Sequence, residues 1–392
     1  MCRVAVAEKP RRKWFRRRSE ERMLTRGNVP AIMLPSTLAG ESVTPRSALA
    51  IADAYAAVRA LSDAASSLPL HVYRRTADDG RERSDAPTAD LLRHPAPAVT
   101  QSAFLAQMVA HLNVFGEAFV GKYRNGDGEI EQLGLIAADR VSVELRGGMP
   151  IYAIASDDGR FDYFTGADVI HVKGMSLDGV RGLSPVRQAR EALGHAAALT
   201  AHGSKFFANG ARPSGVLYVQ PGSHADEQIE NLKAAWEERH GGAENAGRVA
   251  LLTGEVKFEP VSMPLADAQF LEQRQLSTVE IARVFRVPPW VIGANTSDSL
   301  TYSTVSEQLR AFVMFSLRPW LVAIEQALSA DVDLFPPDAR TYCQFELDAL
   351  LRADPKTRSE IYTAALDPVT GWQTREEVRR LEDLPEETMA LA

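Results

Sequence analysis

The sequence predicts an α+β protein in which β-rich and helical parts are segregated along the chain. Three observations predict it. From Glu117 to Lys173, short runs of β-branched and aromatic residues alternate with turn residues such as Asn125-Gly126-Asp127-Gly128 and Gly147-Gly148. Two long helical patterns, about 184–210 and 266–287, then bracket some fifty residues that read strand, helix, strand. The second long helix runs into Val287-Pro288-Pro289-Trp290. Proline lacks the backbone N–H and its ring collides with the previous turn, so this helix must stop there.

Each element follows from local chemistry. Residues 1–46 hold 11 Lys/Arg against 4 Asp/Glu, densest from Arg11 to Arg18, and read as a basic flexible arm. Such an arm is a solvated tail, or a contact for nucleic acid or an acidic partner helped by Trp14 and Phe15. Ser47–Ser67 is Ala-rich and helical, Leu68–Arg75 alternates like a strand, and Asp78-Asp79-Gly80 marks a turn. Gln101–Phe115 is a second helix. Strands are expected at Glu117–Arg124, Ile130–Ile136, Val141–Arg146, Ile151–Ile154, Arg160–Phe164 and Val169–Lys173.

Ser184-Pro185 opens a helix to about Ala208, with Ser as N-cap and Pro at the first position. Arg187, Arg190, His195, His202 and Lys205 share one broad arc of it, and the small residues Ala189 and Ala196 lie opposite. After Asn209-Gly210 come a strand at Val216–Val219, a helix at Ser223–Arg239, and strands at Arg248–Leu252 and Val256–Phe258.

The helix Asp267–Arg286 should carry Glu272, Glu280, Arg283 and Arg286 on one side. Phe270, Leu271, Ile281, Ala282 and Phe285 belong to the other. Gly293–Ser303 is small, polar and loop-like. Thr304 to about Leu328 is a long helix with the stripe Leu309, Val313, Trp320, Ile324 and Ala327, and Pro319 predicts a kink near Phe315. Thr374 and Glu377 form a capping box for a last helix through Leu381.

Composition bounds the function. Beyond residue 46 the chain holds 33 basic and 47 acidic residues, too acidic for a general DNA-binding surface but suited to one that DNA slides past. Cys2 and Cys343 are the only cysteines, which predicts neither a disulfide framework nor a zinc site. No stretch of about 18 uninterrupted apolar residues exists, because Arg318 and Pro319 interrupt the closest one. The phosphate loop GxxxxGK[ST], the GxSxG elbow and HExxH are all missing. His94, His111 and His171 are isolated in sequence, Asp78-Asp79 and Asp157-Asp158 precede turn glycines, and Asp331-Val332-Asp333 has no third ligand nearby. No catalytic residue, metal or cofactor is expected.

Four segments in order carry a family resemblance: Gly182-Leu183-Ser184-Pro185; Phe206 to Leu217 with its Asn-Gly-x-x-Pro-x-Gly run; Phe270 to Gly293; and Phe312 to Glu325 with Leu317-Arg318-Pro319-Trp320. Weaker support comes from Leu350 to Asp354 and Thr374 to Arg379, where Glu376-Glu377 replaces the Asn-Glu of many relatives. Over about residues 47–385 the chain resembles the siphovirus-type portal proteins of tailed double-stranded DNA bacteriophages.

The resemblance implies a wing (47–183), a stem helix (184–210), a β-α-β clip (211–265) and a second stem helix (266–288). A tunnel loop (289–303), a long kinked helix returning to the wing (304–344) and a helical crown (345–392) would follow. It implies a dodecameric ring at one capsid vertex of the virion, assembled in the host bacterial cytoplasm. Double-stranded DNA would pass through it without sequence specificity. Terminase large subunit, major capsid and scaffold protein, and a head–tail adaptor are the implied partners, with no membrane. The channel residues would be Gly293, Asn295, Thr296, Ser297, Ser299 and Thr301, with Arg187, Arg190 and Lys205 as phosphate contacts or as bridges to the next subunit. Trp290 is expected to anchor the loop base rather than stack on DNA. The competing readings are another head–tail adaptor or tail component, a nucleic-acid enzyme, and a membrane-surface protein using the basic arm.

Overall fold

The structure is a computed structural model that describes residues 36–78, 80–208, 216–219, 256–259, 264–294, 302–347, 355–368 and 370–381. The run Arg11–Arg18, the helix expected at Ser223–Arg239, the strand at Arg248–Leu252 and most of the loop before Tyr302 lie outside the described residues.

In chain order the elements are α1 (Ala52–Ser66), β1 (Leu70–Arg75), β2 (Arg81–Arg83), α2 (Pro87–Arg93), α3 (Gln101–Phe115), β3 (Glu117–Arg124) and β4 (Ile130–Ile136). Next come β5 (Val141–Arg146), β6 (Met149–Ala155), β7 (Phe161–Phe164), β8 (Val169–Lys173), α4 (Pro185–Gln188), α5 (Arg190–Ala208), β9 (Val216–Val219) and β10 (Val256–Glu259). The chain continues with α6 (Pro264–Val284), α7 (Tyr302–Ala311), a π-helical segment (Phe312–Leu317), α8 (Arg318–Ser329), β11 (Thr341–Phe345), α9 (Pro355–Ala365) and α10 (Arg375–Leu381). The fold is α+β, as the sequence predicts. It divides into two compact units, residues 1–60 with 110–296, and residues 61–109 with 297–392.

In the first unit two three-stranded antiparallel sheets, β4-β3-β8 and β5-β6-β7, share a core. Phe119 of β3 is fully buried and meets Val141, Tyr152 and Phe164 from the other sheet. The Phe119 ring lies 5.9 Å from Tyr152, edge-on, and 4.4 Å from His171, stacked. The predicted hairpin turns are in place, and Gly128, Gly147 and Gly148 supply the positive φ angles that these turns demand. Asp158 accepts a hydrogen bond from the Arg160 N–H, which makes it a turn residue. β9 and β10 pair antiparallel.

The basic arm ends earlier than its composition suggests. Residues 36–46 are ordered against the first unit: Thr37 is buried beneath Gly194, the Leu38 N–H donates to Glu191 Oε2 at 2.9 Å, and Arg46 pairs with Asp139 at 2.7 Å. The boundary at 46 came from charge counting. Charge density falls off before Ser36, and the following residues have partners far away in sequence, which no local pattern records.

In the second unit β1 is central, flanked by β11 and β2. β11 was not expected, since residues 304–344 read as helix and connection. Thr341-Tyr342-Cys343-Gln344-Phe345 nonetheless alternates as a half-buried strand, with Cys343 and Phe345 inward. The short helix α2 was missed too; Ala86-Pro87 is its start signal.

The proline kink takes a definite form. Pro319 has no N–H to offer Phe315 and its ring excludes that carbonyl, so the turn before it widens into the π segment Phe312–Leu317. The extra residue rotates the apolar stripe. Val313 and Ile324 are buried as expected, but Phe312, Leu317, Leu321 and Leu328 fill the core. Leu309, Trp320 and Ala327 are only partly buried. The run Glu307–Ser329 is apolar and long enough to cross a membrane by composition alone. Here α8 packs on β11, and Glu325 accepts a hydrogen bond from the Phe345 N–H at 2.7 Å. Asp331 likewise accepts from the backbone of Asp333 and Leu334. The terminal capping box is reciprocal: the Thr374 N–H donates to Glu377 Oε2 at 2.8 Å and the Glu377 N–H to Thr374 Oγ1 at 3.2 Å.

Candidate functional site

The candidate site is built on the two long helices α5 and α6 of the first unit and on how each is started and stopped. Gly182-Leu183-Ser184-Pro185 is the start. Ser184 Oγ accepts from the Arg187 N–H at 3.2 Å and donates to the Val114 carbonyl at 2.7 Å, so it caps α4 and ties it to the end of α3. Pro185 holds the first helical position. α4 and α5 are one helical run interrupted at Ala189, whose φ of −101° and ψ of 18° leave the α region.

Gly182 is required by contact. A Cβ there would lie 2.0 Å from the Gly116 carbonyl oxygen, and a Cβ on Gly116 would lie 2.1 Å from the Leu183 oxygen. The two backbones pass with no room for a side chain.

Beside this crossing sits a buried ionic knot. Glu117, with 2% of its side chain exposed, accepts from Arg181 Nε at 2.8 and 3.0 Å, from Arg181 Nη2, from His171 Nε2 at 3.1 Å and from the Gly182 N–H at 3.1 Å. Burial alone would raise the Glu117 pKa, but the bonds from His171, Arg181 and Gly182 hold it below the usual range. Burial pushes the His171 imidazole down, so it is neutral at pH 7 and carries its proton on Nε2 to donate to the carboxylate. His171 is isolated in sequence but not in the fold. No short-range pattern links residues 117, 171 and 181; only the pairing of β3 with β8 brings them together.

α5 and α6 pack closely. A Cβ on Gly203 would lie 3.2 Å from Phe270 Cζ, and the His202 and Phe270 rings are 6.0 Å apart. On α6, Ile281, Ala282 and Phe285 are buried as expected, whereas Leu271 is 58% exposed. Helical periodicity places a residue on a face, but in the first half of α6 Phe270 packs against α5 while its neighbour Leu271 is left mostly uncovered by the described residues of its own chain.

α6 ends at Val284, four residues before Pro288, by a Schellman closure. Arg286 takes the left-handed conformation (φ 57°), its N–H reaches the Arg283 carbonyl at 3.1 Å, and the Val287 N–H reaches Ala282 at 2.9 Å. Pro289 then opens a single 3-10 turn through Ile292, closed the same way: Gly293 has φ 80°, its N–H bonds Trp290 O at 3.2 Å, and the Ala294 N–H bonds Pro289 O at 3.0 Å. Val-Pro-Pro-Trp-Val-Ile-Gly is therefore two successive helix stops. Arg286 in the first is strained, since a side chain there costs roughly 1–2 kcal/mol. Arg286→Gly should raise stability by about 1 kcal/mol, read as a shift in the urea midpoint; an unchanged or lowered midpoint would show that Arg286 side-chain contacts outweigh the strain.

Of the expected channel residues, Gly293 ends the second stop, and Asn295, Thr296, Ser297, Ser299 and Thr301 lie outside the described residues. α7 begins at Tyr302, within the span read as loop. Trp290 is partly buried, with its indole Nε1 enclosed and without a hydrogen-bond partner among the described residues. Arg187 and Lys205 are exposed, and Arg190 contacts Glu191 at 3.4 Å. Among the described residues no group of three or more His, Cys, Asp or Glu could hold a metal ion.

The sequence matches the family described as phage portal protein over residues 52–383. The chain belongs to the phage portal protein family. The probable portal protein of Streptomyces phage phiC31 is 37% identical over 358 residues, covering 88% of this chain and 77% of that protein. The portal protein of Enterobacteria phage HK97 is 26% identical over 351 residues, covering 89% and 82%. Among solved structures, the neck of an empty gene transfer agent particle, computed with C6 symmetry, superposes with TM-score 0.63 at 26% identity, covering 87% of this chain and 93% of that one. An HK97-family phage portal protein from Corynebacterium diphtheriae shares the fold, with TM-score 0.57 at 17% identity over 80% and 98% of the two chains. This portal protein is thus a structural vertex component from a family that is not enzymatic. Three of the four portal segments gain physical meaning: Gly182–Pro185 is the tight crossing and cap, Phe270–Gly293 the doubled stop, and Phe312–Glu325 the π-widened turn before Pro319; most of Phe206–Leu217 lies outside the described residues.

Proposed function

We propose that about twelve copies of this chain form a ring at the head–tail vertex of a phage-like particle, and that double-stranded DNA passes through the centre. α4, α5 and α6 serve as the stem, the residues between Gly293 and Tyr302 as the tunnel loop, and residues 211–265 as the clip that docks the terminase large subunit and later the head–tail adaptor. Capsid and scaffold protein surround the wing, and the ring is assembled in the bacterial cytoplasm before it becomes part of the virion. The observation that carries the ring is on α6: residues 271–276 are all exposed in the single chain, and Leu271 and Leu276 each keep 58% of their surface. Apolar residues left open on a helix already packed along one side call for a neighbouring copy. The gene transfer agent necks, computed with C6 and with C12 symmetry, support that arrangement.

The doubled stop suits a loop that must be displaced without unwinding the helix behind it. Two left-handed closures isolate α6 from whatever happens beyond Gly293. Small hydroxylated residues there would meet DNA without base-edge contacts, which suits passage of any sequence. Exposed Arg187 and Lys205 would supply weak phosphate contacts; Arg190 is engaged with Glu191.

Negative-stain electron microscopy of the purified protein should show rings with an open centre. Leu271→Asp with Leu276→Asp should leave folded monomers, seen by sedimentation, and rings of unchanged stability in that variant would remove α6 from the interface. Deleting Asn295–Ser299 should leave rings intact yet reduce packaging or DNA retention; normal packaging would sink the tunnel-loop assignment.

A further inference from the structure

We propose that the outer face of the β11-β1-β2 sheet, in the second unit, is a contact surface for the sugar-phosphate backbone of nucleic acid, distinct from the stem and loop. The strand register assembles it. Tyr73 lies opposite Tyr342 on one side and Arg83 on the other, and Arg75 lies opposite Arg81. Leu70, Val72, Cys343 and Phe345 take the buried face, so alternation sends Tyr73, Arg75, Arg81, Arg83, Tyr342 and Gln344 to the opposite one.

Two of the three arginines there, Arg75 and Arg81, are held without acids. The Arg81 guanidinium sits 4.9 Å from the Tyr73 ring centroid and donates from Nη1 to Gln344 Oε1 at 2.8 Å. Arg75 sits 5.5 Å from the Tyr342 centroid. Neither Arg75 nor Arg81 makes an ion pair with a described carboxylate. Arg83 shares Glu346 with His71, at 2.9 and 3.4 Å. Glu82 points to the other face, 3.9 Å from Arg74, and Asp78 lies in the connecting turn. A planar cation fixed on a ring loses little further freedom when it binds, and its free edge presents paired N–H donors to an oxyanion.

Three features select the partner. The positive face stands on a chain with 47 acidic against 33 basic residues beyond position 46, so it is not part of a generally basic surface. Tyr73 is 8% exposed beneath Arg81, and Tyr342 is partly buried with Arg75 5.5 Å from its centroid, so neither ring is an open stacking platform for bases and the backbone is the part of the nucleic acid this face suits. It also offers no exposed apolar centre, which a stable protein interface buries, while nucleic-acid interfaces are polar and positive. Arg81 and Arg83 stand two residues apart on one strand, about 6.7 Å, close to the separation of successive phosphates.

The test uses the full-length assembled protein and a mixed-sequence duplex. Phenylglyoxal should modify Arg75 and Arg81 in the free protein, and the duplex should protect both, read by peptide mass spectrometry at low salt. Arg75→Gln with Arg81→Gln should lower the slope of log affinity against log salt by about two. The affinity gained between 200 and 50 mM salt would then shrink roughly tenfold. The basic arm is unchanged between the two proteins and cancels from the comparison, and burial of the Cys343 thiol, tested by alkylation in a Cys2→Ser background, checks that the second unit stays folded. Equal modification with and without duplex, or an unchanged slope, overturns the proposal. Protection that accompanies ring assembly without DNA also overturns it, because a protein then occupies the face.

Discussion

Gly116→Ala is expected to unfold the first unit or lower its stability by about 4 kcal/mol or more, while Gly148→Ala, at the same φ of 81°, costs only about 1 kcal/mol. The comparison separates two burdens. At both positions a side chain strains the backbone. At Gly148 a Cβ would meet nothing within 4 Å, whereas at Gly116 it would lie 2.1 Å from the Leu183 oxygen and 2.7 Å from the Ser184 nitrogen. Those are backbone atoms, and no rotamer change moves them aside. Relief requires the segment entering α4 to lift away, which also breaks the Leu183 N–H bond to Met175 O (2.7 Å) and the Gly182 N–H bond to Glu117. Urea unfolding of the two variants decides the matter: similar midpoints would mean that the crossing is looser than the distances state. In the proposed ring the consequence is functional, because this crossing fixes the direction in which α4 and α5, the proposed stem, leave the β-rich body.

The parts legible in sequence are those whose cause is local. β3, β4, β5 and β8 and helix α3 were expected with their observed bounds, because turn glycines and alternation sit within a few residues of each strand. The capping box at Thr374 and the Ser-Pro start at Ser184 are equally local. What could not be read depends on distant partners. Arg181 looks like any loop arginine until β3 and β8 pair and set it against Glu117. Thr37 looks like part of a tail until Gly194 leaves space for it. The stripe of the long helix failed for another reason: a wheel assumes a constant turn, and the π segment at Phe312–Leu317 inserts one residue into the count. The proline announced the kink but not its geometry. In the candidate site, the resemblance pointed to the segments, and only the fold showed that two of them are a tight backbone crossing and a pair of left-handed stops.

Arg181→Met is expected to cost about 3 kcal/mol at pH 7, with a deficit that narrows as the solution is acidified. Glu117 would then be a buried carboxylate left with His171 and one backbone N–H. In the native chain the depressed Glu117 pKa gives stability that is complete above the ordinary carboxylate value of 4.5 and lost as pH falls through the lower folded value. His171 acts in the same direction, since a neutral buried imidazole makes the folded state resist protonation once pH drops below the ordinary 6.5. Without Arg181, burial dominates at Glu117 and raises its pKa, so the folded variant takes up protons more readily than the unfolded chain. Loss of the nearby guanidinium also eases the depression of the His171 pKa, although burial, its main cause, remains. Both effects favour the folded variant as pH falls from 7 toward 5, while the native chain gains nothing there. Urea midpoints of the two proteins at pH 8, 7, 6 and 5 should therefore converge. A constant gap would mean that Arg181 contributes packing rather than charge, and a widening gap would mean that Glu117 is already protonated in the native fold. If convergence is seen, the join between the β-rich body and the helices proposed as the stem is held by an ion pair whose strength falls in acid, and the proposed ring should lose rigidity at this joint before its sheets unfold.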